Sequence, residues 1–384
     1  MTIVYLTGII ITFFLSSLLL TKKRKTGADY ILAAWLFLLG LHLFLFYTVL
    51  TKRYLEWPFL LGLGIPLPLA HGPFLYLYTA ALTNQFPPKN RWFWHFLPFL
   101  ALYICLSGFL SLPGIHKIYV YEHEGRGYET ETVYIFTAII LSGITYIFLS
   151  LLLLKKHRKR ILEQYADTEK INLNWLRYLI AGIGIIWAIV IWGDEAAIYT
   201  VVVFFILFIG YFGIKQVGIL NSPEETVLPP AAAQITGPDL LETPETAPTA
   251  IPKAANKKYQ KSRLGPDALE KIQADLKQLM EKERLYTDPE LTLSRLSERL
   301  QVHPNILSQV INTTGDQNFY DYINTLRVAA FLELLADSSN KKYTLLSLAF
   351  ECGFNSKASF NRNFKKCMGI TPTEYQKQVE HSNI

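Results

Sequence analysis

The stretch "ECGFNSKASFNRNFKKCMGITPTEY", residues 351–375, decides the C-terminal fold. Gly353 supplies a turn, and Asn355 or Ser356 follows as a helix cap, because either side chain can accept from an N–H of the first turn. The helix that starts there has two unlike faces. Phe360 and Phe364 stand four residues apart and turn toward a core, while Ala358, Asn361, Arg362 and Lys365 occupy the other side, with Lys357 at the start. Just upstream, Thr344 reads as the cap of a short helix that buries Leu345, Leu348, Ala349 and Cys352. The result is a helix, a glycine turn and a basic, Asn-rich helix.

The pattern occurs once before, in "LTLSRLSERLQVHPNILSQVIN", residues 291–312. Thr292 caps a helix whose Leu293, Leu296 and Leu300 share a face, and Pro304 sits in the first turn of the next helix, where its missing N–H costs nothing. There Leu307, Val310 and Ile311 form the apolar stripe, and Asn305, Ser308, Gln309 and Asn312 form an uncharged hydrogen-bonding stripe opposite. Between the pairs, Phe319, Ile323, Leu326, Ala330 and Leu334 keep one register and predict a single connecting helix. A further helix is predicted from Asp267, through Leu269, Ile272, Leu276 and Leu279. Two such pairs can each place a second helix in a major groove, and grooves on one face of DNA repeat every ~34 Å. Asn and Gln pair with adenine, Arg pairs with guanine, and Lys settles on phosphate.

Tyr343–Tyr375 resembles the second half of the AraC/XylS-type DNA-binding domain. The resemblance rests on Ala349, Gly353-Phe354, Ser356, Phe360, Arg362, Phe364-Lys365-Lys366, Gly369, Thr371-Pro372 and Tyr375. Leu293, Leu296, Leu307-Ser308, Phe319, Ile323-Asn324 and Arg327 resemble the first half. The likeness runs from about Leu285 to Gln378. It implies a transcription regulator whose first reading helix uses His303, Asn305, Ser308, Gln309 and Asn312, and whose second uses Lys357, Ala358, Asn361 and Arg362. Two positions depart from the pattern: Gly315 falls one residue early, and Ser297 stands where alanine is common.

The first half of the chain is of another kind. Of 384 residues, 51% are hydrophobic, and the long apolar runs fall before Gly218. A bilayer core needs about 20 apolar residues per helix. Seven stretches qualify: Ile3–Leu20, Tyr30–Leu50, Trp57–Leu82, Trp92–Leu112, Thr132–Leu154, Trp175–Trp192 and Ala196–Val217. The first has no basic residue ahead of it and is followed by "KKRK", so it reads as a retained span and not as a cleaved leader. Alternate loops carry Lys22–Lys25, then Lys89 and Arg91, then Lys155–Arg160. By the positive-inside rule these loops are cytoplasmic, which puts the N-terminus outside and everything after Val217 inside. Pro66, Pro68 and Pro73 should break or kink the third span beside His71, freeing carbonyls near a polar point. His42, His71 and Pro68 are therefore the candidate ligand-sensing residues; the competing reading is that both histidines simply hydrogen-bond between helices.

Asn221–Pro252 is rich in Pro, Ala, Thr and Glu, and predicts a disordered tether of about 30–35 Å. A basic run from Lys253 to Arg263 follows. Cys105, Cys352 and Cys367 have no metal-ligand spacing and suggest no disulfide framework. With no glycine-rich phosphate loop and no nucleophile–base set, an enzyme is not expected, and neither a cofactor nor a metal is called for.

The expected protein is all-α. It comprises a seven-helix transmembrane sensor domain over 1–218, a disordered linker over 219–262, and an AraC-type DNA-binding domain over 263–384 with its core at 285–378 and two helix-turn-helix units. The expected location is the cytoplasmic (inner) membrane of a bacterial cell, with the DNA-binding domain in the cytoplasm. The expected partners are double-stranded DNA, membrane lipids, a second copy of the chain, and a small-molecule, lipid or peptide signal. The alternative is a membrane receptor or transporter whose C-terminal helical domain is a protein-interaction tail.

Overall fold

A computed structural model describes residues 2–169, 171, 173–219 and 266–382. The regular elements among them are helices, accompanied by one isolated antiparallel bridge. The linker expected at Asn221–Pro252 and the basic run at Lys253–Arg263 lie outside the described residues. The chain divides into two compact units, one formed by Met1–Arg160 with Ile171–Ile219 and the other by Ile161–Lys170 with Leu220–Ile384.

The first unit opens with α1 (Thr2–Thr21) and α2 (Gly27–Leu50), packed side by side. The Thr26 hydroxyl accepts from the Asp29 N–H while the Asp29 carboxylate accepts from the Thr26 N–H, so the start of α2 is held reciprocally. The expected third span is broken. Residues 58–60 make one 3₁₀ turn, further tight turns carry the chain to residue 67, and α3 (Pro68–Leu82) starts with proline in its first turn. The proline and glycine run interrupts the 3.6-residue ladder, and the freed Leu63 carbonyl accepts from the Tyr103 hydroxyl at 2.7 Å. The expected fourth span is also a series of pieces. A 3₁₀ segment at Lys89–Phe96 leads into α4 (Leu97–Cys105), α5 (Ser107–Leu110) and α6 (Gly114–Glu122). Then come α7 (Glu129–Gln164), α8 (Asn174–Trp192) and α9 (Glu195–Ile219). Asp194 accepts from the Ala197 N–H at the start of α9. Among the described residues α1, α2, α7 and α8 are long and apolar enough to cross a membrane, and Ala196–Phe212 of α9 is a shorter apolar helix. The core of this unit joins Leu36, Leu43, Leu75, Leu176, Leu179 and Ile206.

The second unit contains α10 (Pro266–Glu283), α11 (Leu293–Arg299), α12 (Pro304–Gly315), α13 (Phe319–Ala336), α14 (Leu345–Glu351), α15 (Lys357–Met368) and α16 (Pro372–Ser382). Its helices start where cap chemistry places them. Thr292 accepts from the Arg295 N–H, Asn318 from Asp321, Thr344 from Ser347 and Ser356 from Ser359. Each such cap contributes ~1 kcal/mol. The helix α12 ends on Asp316, whose φ of 47° is left-handed, so the left-handed residue follows Gly315. Aromatic packing closes the C-terminal half. Phe331 lies 4.7 Å from Phe360 and 5.6 Å from Phe364 between ring centroids, and Tyr375 of α16 covers Phe364 at 5.6 Å.

Gly353, between α14 and α15, has φ +94°, and a Cβ there would lie 2.6 Å from the Tyr286 carbonyl oxygen and 2.8 Å from the Thr287 Cα. Both neighbours are backbone and cannot rotate away. Gly353→Ala is expected to cost about 3 kcal/mol, combining left-handed strain with the clash. Pulse proteolysis of the full chain in a urea series, following residues 266–382, would measure it; a wild-type midpoint would show that the turn has slack.

Candidate nucleic-acid interface and a buried histidine cluster

The helix α15 sits on its aromatic anchors. Phe360 and Phe364 are buried, and so are Ser359 and Asn363 on the same side. The Asn363 side-chain amide donates to the Tyr320 hydroxyl at 2.8 Å and to the Ser359 carbonyl at 2.9 Å, fixing the rotation of α15 about its axis against α13. That rotation leaves Lys357, Ala358, Asn361, Arg362 and Lys365 exposed on one side. Lys366 is tied to Asp321 at 2.6 Å. Arg362 lies 3.6 Å from the Glu169 carboxylate, an ion pair made inside the second unit.

On α12, Leu307, Val310 and Ile311 are buried. Asn305 is exposed, and Ser308, Gln309 and Asn312 are half-buried. His303 is the N-cap: its Nδ1 accepts from the Asn305 N–H at 3.2 Å, which leaves Nε2 for any outside partner. Asn312 donates to Ser308 Oγ at 3.4 Å, so those two side chains steady each other. The face of α12 is polar and uncharged, and that of α15 is polar and basic.

Three buried polar residues hold this platform; none has a structural task in the sequence reading, which names Asn324 and Arg327 only among the residues of the family resemblance. Arg327 is 1% exposed; its Nε donates to the Tyr286 carbonyl at 2.7 Å and its Nη2 to the Asp288 carbonyl at 2.8 Å. Burial lowers its pKa to about 10, with Asp167 and Asp288 opposing the shift, so it stays charged at neutral pH. Asn324 and Asn363 complete the set. Each lies on the inner face of its helix, so a polar residue at an apolar register position is the signal that marks them.

In the first unit the structure brings His42, His71 and Pro68 together. The Trp35 indole N–H donates to His71 Nδ1 at 3.3 Å, His71 Nε2 lies 3.1 Å from His42 Nδ1, and His42 Nε2 lies 3.0 Å from the Tyr199 hydroxyl. An indole only donates. With neutral imidazoles, the donors must therefore run in one direction, Trp35 to His71 to His42 to Tyr199. Pro68 and His42 line two neighbouring cavities. One, of about 530 Å³, is also bounded by Phe109, Tyr128, Glu131 and Tyr199. The other, of about 220 Å³, is bounded by Trp35, His71, Trp187 and Phe205. Trp35 and Tyr199 were absent from the sequence reading because a lone aromatic in an apolar run looks like lipid- or core-facing bulk.

A helix-turn-helix domain family matches residues 296–378. The uncharacterised HTH-type transcriptional regulator YtdP of Bacillus subtilis (strain 168) is 30% identical over 91 residues, which is 24% of this chain and 11% of that protein. The melibiose operon regulatory protein of Escherichia coli (strain K12) is 26% identical over 90 residues, 23% of this chain and 29% of that protein. The chain thus spans less than a third of the length of these relatives. No solved structure matches it. The matched segment begins within α11, takes in the rest of both helix pairs, and falls where the sequence resembles the AraC/XylS-type domain. The C-terminal part of the chain therefore carries a helix-turn-helix domain, similar to segments of transcription regulators.

Proposed function

We propose that this protein is a membrane-anchored, sequence-specific DNA-binding transcription regulator. Its N-terminal helices span the cytoplasmic membrane seven times with the N-terminus outside, and its C-terminal domain reads two successive major grooves with α12 and α15. The observation that carries the reading is the exposed row Lys357, Asn361, Arg362 and Lys365 on an aromatic-anchored helix, within a matched helix-turn-helix domain. Arg362 and Asn361 carry the groups that read guanine and adenine edges, and the lysines suit phosphate. The apolar helices of the same chain supply the anchor. The basic loops, Lys22–Lys25 and Lys155–Arg160, would sit among lipid headgroups. The structure's His42–His71 cluster and the two cavities beside it support a sensing site for a small-molecule, lipid or peptide signal, relayed through pairing of two copies of the chain.

The test uses the full chain in lipid nanodiscs and a pool of randomised DNA duplexes. Selection should enrich one sequence, and its log affinity should fall linearly with log salt, by ~0.9 per phosphate neutralised. Enrichment of nothing at any salt would reduce the C-terminal domain to an interaction tail. For sensing, His71→Ala and Pro68→Ala are each expected to blunt the change in target transcription that inducing conditions produce. Wild-type responses from both variants under every such condition would remove the cavities from signalling.

A further inference from the structure

The ten residues Ile161–Lys170, the last turn of α7 and the start of its link to α8, pack with the second unit. Within that unit Ala166 is fully buried among the core side chains. Its N–H donates to the Leu291 carbonyl at 3.2 Å, and its carbonyl accepts from the Asn324 amide at 2.9 Å. Tyr165 forms an antiparallel bridge with Thr292, the cap of α11. Thr168 is buried as well. The Asp167 carboxylate accepts from the Glu169 N–H at 3.0 Å, which turns the chain and brings Glu169 to Arg362.

We propose that Tyr165–Glu169 is a regulatory strap, which docks on the DNA-binding domain of its own chain and sets the Glu169 carboxylate on Arg362 in the place of DNA. The inference rests on the reading that α15 contacts DNA. A carboxylate 3.6 Å from the Arg362 Nη2, an ion pair longer than a hydrogen bond, stands in the approach of a guanine edge or a phosphate to that nitrogen and repels the phosphate. Backbone hydrogen bonds and the burial of Ala166 hold the strap. The blocking contact is a half-exposed ion pair, with side-chain exposures of 54% and 28%, which is weak enough for DNA or a shift of the strap to displace. The strap is also mechanically connected. The Tyr165 N–H donates to the Ile161 carbonyl at 2.9 Å, so it continues the last turn of α7. A helix of 36 residues is ~54 Å long against a hydrocarbon core of ~30 Å. On the proposed topology, a shift or rotation of α7 would pull directly on the strap.

The test again uses the full chain in nanodiscs with the duplex selected above. Glu169→Gln keeps the shape and removes the charge; it should tighten binding about 2–5-fold, the range for relieving one exposed ion pair. Glu270→Gln, on the exposed side of α10, changes the net charge equally and should leave the affinity within experimental scatter. A second arm locks the strap with Tyr165→Cys and Thr292→Cys, in a background where Cys105 and Cys367 are serine. Oxidation should weaken DNA binding several-fold relative to the reduced form of the same protein, and adding Glu169→Gln to the locked protein should restore most of the loss. Unchanged affinity in Glu169→Gln and in the oxidised lock, with wild type still binding, overturns the strap and leaves the DNA reading standing. Tighter binding on oxidation would make the segment a scaffold, and also overturns it. Failure of every variant, wild type included, to bind any duplex overturns the DNA reading and the strap with it.

Discussion

Arg327→Met should destabilise the helix-turn-helix unit by about 3–5 kcal/mol while leaving the apolar unit intact. The methionine nearly matches the apolar stem but removes the guanidinium. The Tyr286 and Asp288 carbonyls then lose buried donors, and the Asn324 Oδ1, 3.4 Å from Nη1, loses its neighbour. Unpaired buried polar groups cost ~1–3 kcal/mol each, and breaking a buried charged pair or network costs ~3–5. Arg327 also lies over the Phe354 ring at 5.8 Å, so some packing goes with it. Because burial brings its pKa down only to about 10, the group is protonated in both folded and unfolded chains at neutral pH, and the loss should not vary with pH there. All seven tryptophans lie before Gly193, so intrinsic tryptophan fluorescence would miss the effect. Hydrogen exchange resolved to α11, α13 and α15 would see it. Protection equal to wild type in those helices would show that Arg327 is replaceable.

The double variant Asn361→Ala, Arg362→Ala should lose about 10²–10³-fold in affinity for the selected duplex and far less for a scrambled one. A good bidentate base contact discriminates by ~1–3 kcal/mol, and two of them approach that range. Both side chains are exposed, and alanine favours helix, so the fold of α15 should survive. Truncating Arg362 also removes the partner of Glu169, so any strap effect works against the loss. The measured drop is then a lower bound on what the two side chains contribute to reading. Equal losses on selected and scrambled DNA would assign them to phosphate alone. No loss on either would take α15 out of the interface.

The C-terminal helices were legible because their signals are local. A Thr or Ser cap, an apolar stripe at i, i+3 and i+4, and a Pro or Gly at a boundary each act within one or two turns. Thr292, Thr344, Ser356 and Pro304 stand at the helix starts where that chemistry put them. The outward face of α15 was legible for the same reason, since Phe360 and Phe364 fix which side is buried. Its inner polar residues were less so: Asn363 is in the quoted stretch, but nothing local says that it bonds to Tyr320, 43 residues away.

In the apolar half, length and composition announced helices but said little about their course. The run Trp57–Leu82 is apolar but for His71 and Thr79, yet its first ten residues are tight turns, because proline and glycine deny the backbone its ladder. Hydropathy measures transfer and is nearly blind to that geometry. His42 and His71 were marked by being polar among apolar neighbours. That they meet each other, with Trp35 on one side and Tyr199 on the other, depends on how α2, α3 and α9 cross.

By itself, then, the sequence determined the all-helical character, the caps at Thr292 and Thr344, the glycine turn at Gly353 and the polar face of α15, all of them fixed by interactions within a few residues. Tertiary structure alone decided which distant groups meet. Ala166 lies 158 residues from Asn324 and carries no distinguishing chemistry, yet it lies in the core of the second unit. Periodicity reports that a face is buried, because burial depends on the side chains of that face; it carries no information on what covers it, because any apolar surface of fitting shape would do.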